Sequence, residues 1–348
     1  MKLLNKSIVN RKIGYGGLSL KYMDKGEGRI LVRAIYDWGY RLFDTAPSYG
    51  HSEELIGNAL YDVPRDSFIL STKTHKRDFC GMKKDLQRSL KRLRTRYIDI
   101  YMLHTVNEKE IDKITVDVFR FLHEFKSKGI IKEVGFSLHY GFELAKRYIE
   151  TGLFSYIMVP YNFIEEGNEE IIEYATDNGL EVMTIKSLAD GQLSPSLALE
   201  WLGEKRRCDY DFVPIVGTSS LDHFLEANDR MLKPSLSLEK VQEGINKEKE
   251  QKVICRRCDR CIEDCPRGIE PTWLVQYRIL FKQYGEKRID EKAKQRIDRA
   301  FNYCDDCGRC AKRCPAGINL GDLVGFYAET LKIWMKGKEE SIYGGGRH

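Results

Sequence analysis

Arg41-Leu42-Phe43-Asp44-Thr45-Ala46-Pro47-Ser48-Tyr49-Gly50 reads as a short apolar strand that ends on an acid, followed by a proline turn and a tyrosine. Two later stretches repeat the form. Phe68-Ile69-Leu70-Ser71-Thr72 runs into Lys73, and Tyr97-Ile98-Asp99-Ile100-Tyr101-Met102-Leu103 runs into His104. Mostly apolar runs of this kind suit parallel strands buried on both faces. A run with helical spacing of its apolar residues follows each strand.

The pattern extends in both directions. Strands are expected at 13–17, 41–46, 68–72, 97–104, 132–137, 156–161, 181–186 and 212–217. Helices are expected at 28–38, 53–60 with Ser52 as N-cap, 82–93, 116–127, 141–150, 169–178, 197–203 and 221–230. Strand–helix alternation suits a closed β/α barrel or a doubly wound open sheet. The open sheet would carry G-x-G-x-x-G after its first strand. Gly14-Tyr15-Gly16-Gly17 lacks that spacing. The expected fold class is therefore α/β: an eight-stranded parallel (β/α)8 TIM barrel, of ordinary size for that architecture.

The pattern changes after the last helix. The expected organisation is a barrel over 1–233, a linker over 234–252 with one helical stretch around Glu239–Lys249, a small α-helical domain over 253–335 and a tail over 336–348. The chain has 348 residues, 42% of them hydrophobic and 31% charged, which suits a soluble globular protein. No apolar run approaches the roughly 20 residues that span a bilayer. The first ten residues do not read as a secretory leader, so the expected location is cytoplasmic, with no membrane partner.

Eight of the ten cysteines fall between Cys255 and Cys314. Cys255-x2-Cys258-x2-Cys261-x3-Cys265-Pro266 recurs as Cys304-x2-Cys307-x2-Cys310-x3-Cys314-Pro315. This is the spacing of two-cluster ferredoxins, in which the fourth cysteine ligates the other cluster. Two [4Fe–4S] clusters are expected: one on Cys255, Cys258, Cys261 and Cys314, the other on Cys304, Cys307, Cys310 and Cys265. Structural zinc sites use other spacings. The same span holds 15 Lys and Arg against 10 Asp and Glu, which matches the whole chain's net charge of +5. A cube with four thiolates carries about −2 when oxidised. The basic patch is thus read as its counter-charge, and no nucleic-acid partner is expected.

Asp44, Tyr49, Lys73 and His104 fall at the ends of three consecutive strands, the catalytic face of a β/α barrel. A lysine beside a tyrosine is expected to lower the phenol pKa, with an aspartate holding the lysine. The tyrosine could then protonate a developing alkoxide, and the histidine could orient the same oxygen. His51, His75 and His139 are read as pocket-border residues, and Tyr15, Tyr161 and Cys80 as packing.

These stretches resemble the aldo-keto reductase family, in particular the branch with a C-terminal iron–sulfur domain. The resemblance rests on Phe43–Gly50, Glu53-Glu54-Leu55-Ile56-Gly57, Ser71-Thr72-Lys73-Thr74, Tyr97–His104, Gly135-Phe136-Ser137, Pro160-Tyr161-Asn162 and Ile215-Val216-Gly217-Thr218-Ser219-Ser220. It implies NADP- or NAD-dependent reduction of an aldehyde or ketone, or the reverse alcohol oxidation. Tyr49 would be the general acid, tuned by Lys73 and Asp44, with His104 orienting the substrate. It also implies nicotinamide contacts at Ser137 and Asn162, phosphate contacts at Gly217, Thr218 and Ser219, and an adenine contact at Glu226. Three departures stand out. Leu138 occupies a place often held by Asn, Lys186 stands where many members have an aromatic and is expected to meet phosphate, and Gly217 and His223 replace basic residues at the 2′-phosphate.

The two halves imply different electron counts, since a hydride carries two electrons and each cube one. The leading expectation is a carbonyl reductase joined by its clusters to a redox partner protein, a flavoprotein or ferredoxin. The alternative is an iron–sulfur electron-transfer or binding subunit whose barrel no longer reduces carbonyls.

Overall fold

The computed structural model describes residues 13–108, 116–139, 141–208, 211–233, 235–251, 254–255, 260–284, 291–323 and 325–326. Cys258 and the expected tail 336–348 lie outside the described residues. The chain divides into two compact units, Met1–Lys247 and Glu248–His348.

The first unit alternates strand and helix: β1 (Gly14–Gly16), α1 (Lys25–Asp37), β2 (Leu42–Asp44), α2 (Ser52–Ala59), β3 (Ile69–Thr74), α3 (Phe79–Arg92), β4 (Ile98–Leu103) and α4 (Val116–Ser127). It continues with β5 (Ile131–Ser137), α5 (Phe142–Glu150), β6 (Tyr156–Pro160), α6 (Glu169–Asp177), β7 (Glu181–Ile185), α7 (Pro195–Cys208), β8 (Phe212–Val216) and α8 (Leu221–Leu232). The strands pair in chain order, all parallel, and β8 closes on β1 to complete an eight-stranded barrel.

Every residue of β3 and β4 is buried. One face of each strand packs under the helices and the other fills the barrel. The interior cluster includes Leu42, Ile69, Ile100, Met102, Tyr156, Met158, Met183, Val213 and Ile215. It is a packed core, as expected of this architecture. Glycine makes room for the larger side chains: a Cβ at Gly14 would strike Ile215 and Leu42, and one at Gly135 would strike Tyr156.

Register sets the strand ends. Asp44 pairs with Ser71, Lys73 with Met102, and Thr74 with Leu103. Asp44, Lys73 and His104 therefore emerge at the same end of the barrel. The helices start on acids where the sequence offers them. Asp24 accepts from Gly26 N at 2.7 Å and caps α1, and Asp78 accepts from Gly81 N at 2.7 Å and caps α3.

One expectation gives way. Ser52 is not an N-cap. It is the first residue of α2, fully buried, and its hydroxyl pairs with Thr45 Oγ1 at 2.9 Å. The helical stretch expected around Glu239–Lys249 within the linker is α9 (Leu238–Gln251), with Val241 and Ile245 buried. A Cβ at Gly244 would strike Leu197 of α7, so α9 lies directly against that helix. Buried Glu200 fixes the approach to α9. It accepts from Leu236 N at 2.7 Å, Ser235 Oγ at 2.6 Å and Ser235 N at 3.2 Å.

The second unit is built on α10 (Arg260–Glu263), α11 (Pro271–Tyr284), α12 (Glu291–Tyr303) and α13 (Arg309–Arg313). Pro271 opens α11, where a missing N–H costs nothing. Ile269, Leu274, Val275, Ile297, Leu320 and Leu323 form its core, and Cys261 and Cys310 are buried within it. Among the described residues no helix is long and apolar enough to cross a membrane.

Candidate active site

Lys73 is the centre of the strand-end site. It is fully buried, and its ammonium donates to both carboxylate oxygens of Asp44 (2.5 Å each) and to the Thr45 carbonyl (3.0 Å). An ammonium has three donors, and these contacts use all three. Ser71 Oγ also donates to Asp44, at 2.7 Å. The acid is thus held by the strand beside it as well as by the lysine.

Tyr49 sits on the turn after β2, with its N–H on the Ala46 carbonyl at 3.0 Å. The Lys73 ammonium lies 5.5 Å from its ring centroid. The His104 ring stands nearly perpendicular to it, with centroids 5.8 Å apart. Asp44, Tyr49, Lys73 and His104 are therefore brought together.

The electrostatics differ from the expected form. The Tyr49 phenol is pushed up from 10, not lowered. Burial is the main cause, and the Asp44 and Asp190 carboxylates add to it. Lys73 cannot reverse this, because its charge is already balanced by Asp44. Burial draws the Lys73 pKa down and Asp44 opposes that. His104 is held well below its usual 6.5, by burial first and then by the charges of Lys73, His75, His139 and Arg77. The site at neutral pH is a protonated phenol beside a neutral imidazole and a compensated ion pair. It can donate a proton, and the Lys73–Asp44 pair is fixed beside the phenol that would do so.

His75 stacks on His104, with centroids 4.1 Å apart, so it borders the site as expected. His139 lies close enough to act on His104 by charge. His51 faces elsewhere and contacts the Met23 carbonyl at 3.3 Å. Tyr15 and Tyr161 are buried, and Cys80 is exposed.

The residues expected at a nucleotide surround the same end of the barrel. Ser137 Oγ accepts from Thr105 N at 2.8 Å. Asn162 Nδ2 donates to Glu165 at 2.8 Å and to the Lys186 carbonyl at 3.0 Å, and its Oδ1 accepts from Ile164 N at 3.0 Å. Thr218 follows β8, and its carbonyl accepts from Ser19 Oγ (2.7 Å) and Tyr15 OH (3.1 Å). Gly217 and Ser219 are exposed on that turn, as is His223 in the first turn of α8. Glu226 is exposed and ion-paired to Arg230 at 2.8 Å.

Beyond Lys186, the sequence did not point to the loop after β7. Lys186, Ala189 and Asp190 all take positive φ (58°, 44° and 60°). Non-glycine residues rarely do so, and such strain gathers at ligand sites. Asp190 acts on the Tyr49 phenol by charge. No sequence signal marks it, because aspartate is unremarkable in a loop.

In the second unit, Cys265, Cys304, Cys307 and Cys310 line one hollow, together with Arg267, Asp305, Asp306 and Arg309. The fourth cysteine of the first motif thus joins three of the second. Ile269 N donates to Cys265 Sγ at 3.3 Å. Such bonds to sulfur help set cluster potentials. Among the described residues no trio of His, Cys, Asp or Glu converges on a point as a single-ion site requires. A hollow ringed by four thiols suits a cube, whose corners hold the sulfurs apart.

The chain matches the model of the aldo/keto reductase family over residues 12–198 and that of a 4Fe-4S dicluster domain over 254–319. It is 32% identical over 187 residues to aldo-keto reductase YhdN of Bacillus subtilis, covering 50% of this chain and 55% of that protein. It is 26% identical over 193 residues to the NADH-specific methylglyoxal reductase of Escherichia coli, covering 47% and 57%. The chain spans about half the length of these curated relatives. The solved aldo-keto reductase from Klebsiella pneumoniae in complex with NADPH superposes with a TM-score of 0.57 at 21% identity, over 68% of this chain and 90% of that one. That likeness is one of fold.

Proposed function

Because the chain belongs to the aldo/keto reductase family and carries a 4Fe-4S dicluster domain, we propose that its barrel reduces an aldehyde or ketone, or oxidises the corresponding alcohol, with Tyr49 as the proton donor. A bound nicotinamide, NADP or NAD, would supply the hydride. Tyr49 would give its proton to the carbonyl oxygen as negative charge gathers there. His104, neutral at pH 7, would hydrogen-bond that oxygen and fix its direction. Lys73 would stand beside the phenol as half of a fixed ion pair, and Asp44 would keep it in place and charged. Ser137 and Asn162 would hold the carboxamide. Gly217, Thr218, Ser219 and Lys186 would meet the phosphates, and His223 and Glu226 the adenosine end.

The observation that carries this reading is the saturated Lys73 ammonium, with every donor committed to Asp44 and Thr45 beside the Tyr49 ring. Such a lysine cannot wander or act as a base. It can only hold its place, with Asp44, beside the phenol. Tyr49→Phe should lower kcat with NADH or NADPH by roughly 100-fold or more, the usual scale of a lost general acid. Full activity in that variant, across a panel of aldehydes and ketones, would remove Tyr49 from the reaction.

In the second unit the proposed cofactors are two [4Fe–4S] clusters, on Cys255, Cys258, Cys261 and Cys314 and on Cys304, Cys307, Cys310 and Cys265. The hollow shared by Cys265 and the second motif supports the crossed ligation. Anaerobic purification should give about eight irons per chain. Clusters of this kind carry single electrons, so a flavoprotein or ferredoxin is the proposed redox partner. A reducing cytoplasm, the proposed location, suits so many cysteines at cluster-ligand spacing.

A further inference from the structure

The two motifs are nearly superimposable in cysteine spacing and differ in charge. Between Cys255 and Cys261 the first motif carries Arg256, Arg257, Asp259 and Arg260, three cations against one acid. Between Cys304 and Cys310 the second carries Asp305, Asp306 and Arg309, two acids against one cation. The places held by Arg256 and Arg257 are thus taken by Asp305 and Asp306. The remaining charges narrow this difference without removing it. Arg267 lines the second hollow and pairs with Asp305 at 3.6 Å. Its counterpart after the second Cys-Pro is Ala316. Asp264 and Arg313, which lie between ligands of the two clusters, pair with each other at 2.9 Å and cancel. Glu263 and Lys312 also lie between ligands of the two clusters and cancel in sum, so the balance along the sequence is +2 for the first three cysteines of the first motif and 0, with Arg267, for those of the second.

The backbone aims one of these acids. Asp306 takes φ 48°, and Gly308 after it takes φ 69°. The Asp306 carboxylate lies so close over Gly321 that a Cβ there would strike it. Among the described residues Asp306 has no ion-pair partner. A cube gains one negative charge on reduction. Net charge near the cluster sets its potential, and an acid at its edge therefore disfavours the reduced form.

We propose that Asp305 and Asp306 make the cluster on Cys304, Cys307, Cys310 and Cys265 the low-potential member of the pair, so that a single electron rests on the cluster held by Cys255, Cys258, Cys261 and Cys314. An electron on the first of these passes to the second; one cube is oxidised and the other reduced, and no bond or proton moves. This rests on the two-cluster reading above. The ordering gives the unit a direction, with the Asp-flanked cube as donor and the Arg-flanked cube as acceptor.

The test is an EPR-monitored dithionite titration of the full chain, loaded anaerobically and assayed for iron and sulfide. Two one-electron waves are expected. In the Asp305→Asn/Asp306→Asn variant the lower wave should move to more positive potential and the upper should stay. In Arg256→Gln/Arg257→Gln the upper wave should move to more negative potential. The acids are exposed, so their field is screened by salt, and raising ionic strength should narrow the gap in the unaltered protein. The ordering is overturned if the Asn variant moves the upper wave or neither, or if salt leaves the gap unchanged. An iron content near four would instead bring down the two-cluster reading, and the ordering with it.

Discussion

The strand-end site of the barrel and the cysteine-rich unit handle charge in opposite ways. In the barrel, Asp44 and Lys73 are buried, paired and hydrogen-bonded on every side. In the second unit, Asp305, Asp306, Arg267 and Arg309 are exposed around the hollow that the thiols line. The difference suits the chemistry proposed for each place. A phenol that gives up a proton needs a fixed field, and only a dry, over-determined pair supplies one. A cluster needs its potential set, and charges at a distance suffice. The barrel site should therefore be costly to disturb and indifferent to salt, whereas the cluster unit should be cheap to disturb and sensitive to it.

Asp44→Ala is the most severe way to try this contrast. It leaves the Lys73 ammonium buried without its counter-ion, and breaking such a pair typically costs about 3–5 kcal/mol. Denaturant unfolding should show a loss of that size in the barrel transition, with little change between low and high salt. A loss near zero, or one that salt abolishes, would mean that the pair is solvated in solution and that the contrast with the cluster unit is false.

Glu200→Ala comes next and sharpens the boundary of the barrel unit. Glu200 is buried and receives the Ser235 and Leu236 N–H groups, and Arg230 approaches it at 3.4 Å. Removing it strands those donors, at roughly 1–3 kcal/mol for a buried group left unsatisfied. Hydrogen exchange at Ser235 and Leu236 should rise sharply. Unchanged exchange there would mean that Glu200 does not hold this segment in solution.

That segment also shows what could be read from the chain. Asp44, Lys73 and His104 were legible because a doubly buried strand is an apolar run, and the polar residue that ends it stands out. The eight repeats of that form were enough for the barrel. The cysteine motifs were legible because their spacing is local in the chain. Glu200 was not, since its partners lie 35 residues on and look like ordinary loop. Ser52 misled because the rule for caps sees only neighbours in sequence, and its true partner, Thr45, is across the turn. The Tyr49 phenol was expected to fall because the lysine was counted and its neutralisation by Asp44 was not. Asp190 was invisible, since the left-handed backbone of the β7 loop leaves no mark in its composition.

The smallest expected effect concerns His104, and it tests whether the barrel site is as dry as its neighbours make it. Its folded pKa lies well below 6.5, so between that value and 6.5 the unfolded chain binds a proton that the folded chain refuses. Stability then rises with pH across this window and falls as pH drops below 6.5. The stabilising share is complete above 6.5. In His104→Gln this component vanishes, and the slope of unfolding free energy between pH 6.5 and the onset of carboxylate titration should flatten. An unchanged slope would place the imidazole in water, where Lys73, His75, His139 and Arg77 could not hold its proton off. In that event His104 would be charged in acid and could not serve as a neutral donor to the carbonyl oxygen, and the direction of hydrogen bonding at the site would have to come from Tyr49 alone.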